Sequence, residues 1–284
     1  MSETKQNSVE LPELDILQRF DVPGPRYTSY PTADRFKKEF GPEDYKEVLK
    51  NRGTVSPDAA LSLYVHIPFC SNICYYCGCN KEITKDHSRS AQYIETLGKE
   101  CDLIKDSLTG IGTVEQLHFG GGSPTFLNNE EIVQVMETLT SRFPLEKDAE
   151  ISIEVDPRCC APEKVEVLAK AGFNRMSVGQ QDFDDRVQIA VNRVQPFEMT
   201  KATMDAARAN GFESINMDLI YGLPFQSEKS FAKTLDKVLE LSPDRIALYH
   251  YAHLPEHFKA QRRINAEDLP STPEKVAIML DAIR

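Results

Sequence analysis

The sequence predicts an α/β protein built as an open six-unit parallel barrel, and three observations carry that expectation. Strand-like and helix-like stretches alternate over most of the 284 residues. Six such units fall within residues 61–251, about 32 residues each; this is the unit size of an eight-unit barrel, two units short of closing one. Residues of unusual chemistry gather directly after strand ends, where parallel barrels place their sites. A doubly wound sheet fits the same alternation, and periodicity alone does not separate the two.

Each element has its own signal. "LSLYVHI" (61–67) reads as a short strand that Pro68 ends. Ile94, Leu97, Cys101, Ile104 and Leu108 share one helical face. "VEQLHF" (114–119) is the second strand, and the helix after it has Asn128 as cap, Glu131 three residues on, and Ile132, Val135, Met136 and Leu139 inside. "EISIEV" (150–155) precedes a helix opened by Pro162 and closed by Gly172. "FNRMSV" (173–178) and "SINMDLI" (214–220) follow. Phe231, Leu235, Val238 and Leu239 mark the next helix, and "RIALYHY" (245–251) is the sixth strand. "PEHFKAQRRI" and "PEKVAIMLDAI" look helical and add no strand. The domain reading is an amino-terminal extension over 1–58 with a flexible start, the barrel over 59–255, and the beginning of a helical region over 256–284.

Composition narrows the function classes. A formal charge of -11 argues against a general nucleic-acid binder, which needs a basic footprint. No apolar run approaches the roughly 18 residues of a membrane span, and no secretory pattern opens the sequence. Seven cysteines, four of them within 70–79, suit reduced thiols in a cytoplasmic protein better than a disulfide framework.

The cysteine run "CSNICYYCGC" has the spacing C-x3-C-x2-C through Cys70, Cys74 and Cys77, with Cys79 two residues further. Zinc is the plain alternative, since four thiolates close a tetrahedral site. Usual zinc sites pair two clips separated by a longer interval, and the single residue between Cys77 and Cys79 is a cramped bite for one ion. An iron–sulfur cube spreads its ligands over several irons and suits one wrapping loop better. Three cysteines on four irons would leave one iron open to a small molecule.

With an aromatic, Tyr76, before its third cysteine, this spacing resembles the signature of the radical S-adenosylmethionine enzymes. "LYVHIPFC", "CYYCGCNK", "HFGGGSPT", "ISIEVDPR", "VNR", "NMDLIYGLP" and "YAHLP", in that order, resemble the oxygen-independent coproporphyrinogen III oxidases within them, as does "PGPRYTSYPTA" (23–33). The resemblance runs from about residue 20 to the end. It implies a partial barrel of the radical S-adenosylmethionine type. It also implies the conversion of two propionates of coproporphyrinogen III to vinyl groups, giving protoporphyrinogen IX, by way of a 5′-deoxyadenosyl radical. By the same resemblance Cys70, Cys74 and Cys77 ligate a [4Fe–4S] cluster. Tyr64, Gly121 and Glu154 fall to a first S-adenosylmethionine. Tyr76, Gly122, Ser123, Gln181, Arg193, Asp218 and Ala252 fall to a second, with serine at 123 keeping the hydroxyl of the family's threonine. A low-potential donor such as a flavodoxin and an unidentified electron acceptor are implied partners, and monomer is the default.

Beside these assignments stand readings from the residues themselves. "GGG" lets backbone approach a ligand, or simply turns the chain. Arg193 has a planar fork suited to a carboxylate, of cofactor or propionate. Arg26 in "PRYTSYP" could cover the substrate, with a solvated loop arginine as the plainer reading. Cys101, His66 and His118 read as core, Cys79 as structural, and Cys159 and Cys160 have no assigned role. His250, His253 and His257 suggest no metal site, and "QRR" (261–263) reads as a solvated helix face. A haem-trafficking relative is the competing function, although "PRYTSYP" and "CGCN" argue for the oxidase. Members of the resembled family continue well past this sequence's last residue, Arg284. The expectation is therefore a truncated chain that holds a cluster with reduced or no turnover.

Overall fold

Six strands pair in the order in which they occur along the chain, all of them parallel. The computed structural model describes residues 13–20, 32–56, 58–110 and 112–284. Of the segments singled out above, 1–12 and "PRYTSYP" with Arg26 lie outside the described residues. Helices α1 (Leu14–Phe20) and α2 (Pro42–Val55) precede strand β1 (Leu61–Ile67). Two short strands, β2 (Phe69–Cys70) and β3 (Glu82–Ile83), bracket the cysteine run before helix α3 (Ser88–Ser107). Then come β4 (Val114–Gly121), α4 (Asn129–Thr140), β5 (Leu145–Val155), α5 (Pro162–Lys170) and β6 (Arg175–Gln181). The chain finishes with α6 (Asp185–Ala190), α7 (Phe197–Ala209), β7 (Ser214–Tyr221), α8 (Glu228–Leu241), β8 (Arg245–His250) and α9 (Thr272–Ile283).

The large sheet runs β1-β4-β5-β6-β7-β8. A doubly wound sheet reverses its strand order at a switch point, and no reversal occurs here. β1 pairs only with β4 and β8 only with β7 among the described residues, so the ring stays open. The sheet is nonetheless curved, because Tyr249 on β8 lines the same cavity as the segments after β1 and β4.

Period-two burial explains how the strands divide their work. Ile151, Ile153 and Val155 of β5 and Met176 and Val178 of β6 are buried in the main core. They meet apolar helix residues such as Val135, Leu139, Val165, Leu168 and Met204. The alternate positions, among them Tyr64, His118, Ser152, Glu154, Ser177 and Asp218, stay half-buried or exposed. Cross-strand register sets Tyr64 beside His118 and His118 beside Ser152. Along β1 and β4 to β7 one face thus makes the core and the other lines the concave interior.

The expected helices form, with instructive differences. Asn128 Oδ1 accepts from Glu131 N at 2.8 Å and Glu131 Oε2 accepts from Asn128 N at 2.8 Å, the anticipated capping box. In α8, Leu239 is 71% exposed, and Leu241 joins Phe231 and Val238 inside instead. Position 241 continues the 231–234–238 stripe, whereas 239 turns off it. Residues 255–264, "PEHFKAQRRI", hold one short 3-10 helix, Lys259–Arg263, rather than a long helix. Within "QRR", Gln261 is 2% exposed, which corrects the solvated-face reading for that residue.

Candidate active site

The cysteine run is held at its base by strand pairing. Phe69 and Cys70 face Glu82 and Ile83, Glu82 N donates to Pro68 O at 2.7 Å, and Thr84 N donates to Cys70 O at 3.0 Å. Cys70 therefore sits on a short strand, not in the free loop expected after Pro68. Further along, "VNR" brackets the middle of the run. Tyr75 N donates to Val191 O at 2.9 Å, and Asn192 Nδ2 donates to Ile73 O at 2.7 Å. Gln261 Nε2 donates to Tyr76 O at 2.9 Å and to Ala252 O at 3.2 Å. Val187, Val191, Leu223, Tyr251 and Ile264 form a second apolar cluster, with Tyr75 and Tyr76 packed against it.

These ties turn the run toward a cavity of about 460 Å³ at the carboxyl ends of the strands. Cys70, Cys74 and Cys77 line it together with Tyr76, Gly121, Gly122, Ser123, Glu154, Gln181, Arg193 and Asp218. Eleven of the thirteen residues singled out from the sequence thus share one wall. Tyr64 and Ala252 are not among the residues that line it. Tyr64 stacks on His118 with ring centroids 5.8 Å apart and meets His66 Nδ1 at 3.0 Å. Ala252 joins through its carbonyl, on the same Gln261 amide that holds Tyr76.

The amides of the glycine run are bonded within the protein. Gly122 N donates to Ile67 O at 2.8 Å and Ser123 N to Phe69 O at 2.9 Å, while Gly121 N donates to Glu154 Oε2 at 3.3 Å. What the run supplies is bare surface. A Cβ at Gly120 would stand 3.0 Å from both Glu154 Oε1 and Tyr64 Cε2. At Gly121, φ is +115° and a Cβ would lie 2.9 Å from the His66 ring.

Charge in the site centres on Asp156. Arg158 Nη2 reaches its Oδ2 at 2.7 Å and Arg193 Nη1 reaches the same oxygen at 3.2 Å. Burial alone would lift the Asp156 carboxyl, but Arg193 and Arg158 outweigh it and hold the group below the usual carboxylate range. Asp218 is pushed up, chiefly by burial, against hydrogen bonds from Ser177 and Asn216. Burial and the neighbouring cysteines raise the Cys70 thiol to about 12. A hydrogen bond from Cys79 lowers Cys77. Lys81 Nζ donates to the carbonyls of Cys77 and Cys79 at 3.2 and 3.3 Å.

Several residues that the sequence did not assign to the site join it. Asp156, Arg158, Ser177, Gly179, Lys81, Cys79, Cys159 and Tyr249 also line the cavity. "VDPR" and "CGCNK" were visible as motifs, but only the folded chain shows which of their side chains turn inward. Cys159 meets the hydroxyls of Thr125 at 3.3 Å and Ser123 at 3.6 Å. His118 is no core residue: its Nδ1 lies 2.6 Å from Ser152 Oγ and its Nε2 3.6 Å from Glu154 Oε1. His66 is likewise half-buried on the inner face. Cys101 is core as expected, at 3% exposure.

The residues present fit a sulfur-ligated cluster with an organic ligand beside it. No three His, Cys, Asp or Glu side chains among the described residues converge as a single ion requires. The three loop thiols nevertheless face one cavity, as ligands to separate irons of a cube would. Arg193 Nε, in the cavity wall, is buried without a hydrogen-bond partner, a donor for which a bound acceptor would supply the missing bond.

Comparison with known proteins follows the same lines. The radical SAM superfamily model matches residues 64–238. The chain is 49% identical over 269 residues to the oxygen-independent coproporphyrinogen III oxidase of Pseudomonas aeruginosa, covering 94% of this chain and 58% of that one. The Escherichia coli protein of the same name is 46% identical over 95% of this chain and 58% of its own length. A solved structure of the Escherichia coli coproporphyrinogen III oxidase, described as a radical SAM enzyme, superposes with a TM-score of 0.86 at 47% identity, over 90% of this chain and 58% of that one. The chain therefore spans a little under three fifths of the length of the relatives it matches.

Proposed function

The chain belongs to the radical SAM superfamily, and from that premise we propose that it serves the oxygen-independent oxidative decarboxylation of coproporphyrinogen III in porphyrin synthesis. The carrying observation is that Cys70, Cys74 and Cys77 face one cavity with Gly121, Glu154, Gln181, Arg193 and Asp218. Cys70, Cys74 and Cys77 would hold a [4Fe–4S] cluster, which together with bound S-adenosylmethionine would supply one-electron reductive cleavage and a carbon radical able to take a hydrogen atom. Each propionate then loses one hydrogen atom, carbon dioxide and one electron to become a vinyl group.

This chain's own part is to bind and orient. Glu154, with Tyr64 beside it, offers acceptors for the amine or ribose hydroxyls of a first S-adenosylmethionine next to Gly121. Tyr76, Gly122, Ser123, Gln181, Arg193, Asp218 and Ala252 are proposed for a second. A low-potential one-electron donor such as a flavodoxin and a separate acceptor belong to the same reading, as do a monomeric state and a cytoplasmic setting. No helix among the described residues is long and apolar enough to cross a membrane.

Anaerobic reconstitution with iron and sulfide tests the proposal. The expected result is a brown protein with about four irons per chain that cleaves S-adenosylmethionine to 5′-deoxyadenosine and methionine. Assay with coproporphyrinogen III then reads vinyl formation. A colourless protein holding one zinc per chain would overturn the reading.

A further inference from the structure

The motif "VDPR" has a consequence beyond closing a strand. Pro157 starts a 3-10 turn, Pro157–Cys159, directly after β5. The turn folds Arg158 back onto Asp156: Nε lies 3.0 Å from Oδ1, Nη2 lies 2.7 Å from Oδ2, and Arg158 N donates to Oδ1 at 3.1 Å. Held by this fork, Arg158 Nη2 extends to Cys74 Sγ at 3.4 Å. Arg193 Nη1 approaches the same sulfur at 3.7 Å while sharing Asp156 Oδ2. Cys74 is 8% exposed, so little water competes for its sulfur. Among the described residues, guanidinium donors reach this one of the three loop sulfurs.

Resting on the cluster reading above, we propose that Arg158 is a positioning residue for Cys74 that raises the reduction potential of the cluster. Hydrogen bonds to ligand sulfurs and nearby net charge are the levers a protein has on such a potential. Two guanidiniums and one carboxylate leave one net positive charge beside Cys74. Reduction adds a negative charge to the cluster, so that positive charge favours the reduced form. Removing Arg158 cancels the net charge and one sulfur hydrogen bond. Removing the charge of Asp156 has the opposite sign, because it leaves both guanidiniums unopposed.

The opposite signs provide the test. The full chain and its Arg158→Met, Arg158→Lys and Asp156→Asn variants are reconstituted anaerobically without S-adenosylmethionine. Iron per chain is measured, and the reduced cluster is titrated against potential by electron paramagnetic resonance. At a fixed potential the ratio of reduced to oxidised clusters should be about tenfold lower in Arg158→Met, equivalent to about 59 mV for a one-electron couple. Arg158→Lys, which keeps the charge without the planar fork, should fall between that variant and the parent, and Asp156→Asn should rise above the parent. If Arg158→Met takes up no iron, the lysine and asparagine variants carry the same comparison. The proposal is overturned if the Arg158 variants stay within twofold of the parent, or if the Arg158 and Asp156 variants shift in the same direction. A parent chain with no cluster signal would instead overturn the cluster reading on which the proposal rests.

Discussion

At Gly121 a single missing Cβ shapes the site. The residue combines φ +115° with contacts that leave no room for a side chain against His66 and Ile67 O. Gly121→Ala should therefore strain the backbone by about 1–3 kcal/mol. The strain falls at the cavity wall, whereas the cysteines are held by separate ties. Equilibrium titration of the reconstituted protein should show S-adenosylmethionine binding at least tenfold weaker, with iron content unchanged. Gln181 carries a related constraint, φ 71° in a non-glycine residue. Its left-handed backbone sits at the register shift between β6 and β7 and brings its side chain to the cavity. "GQQDF" announced a strand end, but one of two adjacent glutamines turned inward only through that irregularity.

The cysteine run is an element stabilised almost wholly by its neighbours. Its ends are pinned by β2 and β3, its middle by Val191 and Asn192, and its far side by Gln261. The Gln261 side chain has three hydrogen bonds, two donated to Tyr76 O and Ala252 O and one accepted from Leu254 N. Gln261→Ala would remove those three part-buried hydrogen bonds, each of about 0.5–1.5 kcal/mol. Most of that loss should appear as freedom of the run, since the sheet core is untouched. Chelator extraction of iron from the reconstituted variant should be several-fold faster than from the parent, with a small change in Tm. An unchanged extraction rate would show that Gln261 does not brace the run.

Across the whole molecule, Asp156 joins the β1 segment, the end of β5 and the end of β6. It binds Arg158 and Arg193, which reach Cys74 Sγ, while Arg193 Nη2 also donates to Gly179 O. The Asp156 side chain is 14% exposed and that of Arg193 is 8% exposed. Asp156→Asn should therefore cost about 3 kcal/mol at neutral pH by leaving two guanidiniums short of a counter-charge. The pH dependence has a defined sign. The folded carboxyl titrates below its unfolded value. Its stabilisation is therefore complete above about pH 4 and is lost as pH falls through the lower, folded value. Urea unfolding of the metal-free chain should show the gap between parent and variant closing below about pH 4. A constant gap across that range would remove Asp156 from the acid response.

The amino-acid sequence by itself determined the six strand–helix units, the capped helix after β4, the open count and the cysteine spacing. Those features depend on local periodicity, turn chemistry and chain length, each written in neighbouring residues. Eleven of the thirteen residues named from motifs reach one cavity because parallel strands deliver their carboxyl ends to one rim. Tertiary structure alone decided that His118 faces the interior and that Leu241 replaces Leu239 in the core. The same is true of Gln261 bracing the cysteine run and of Arg158 and Arg193 meeting on Cys74. Arg193 and Cys74 lie 119 positions apart, and no local pattern specifies a contact that exists only once the curved sheet brings its strand ends together.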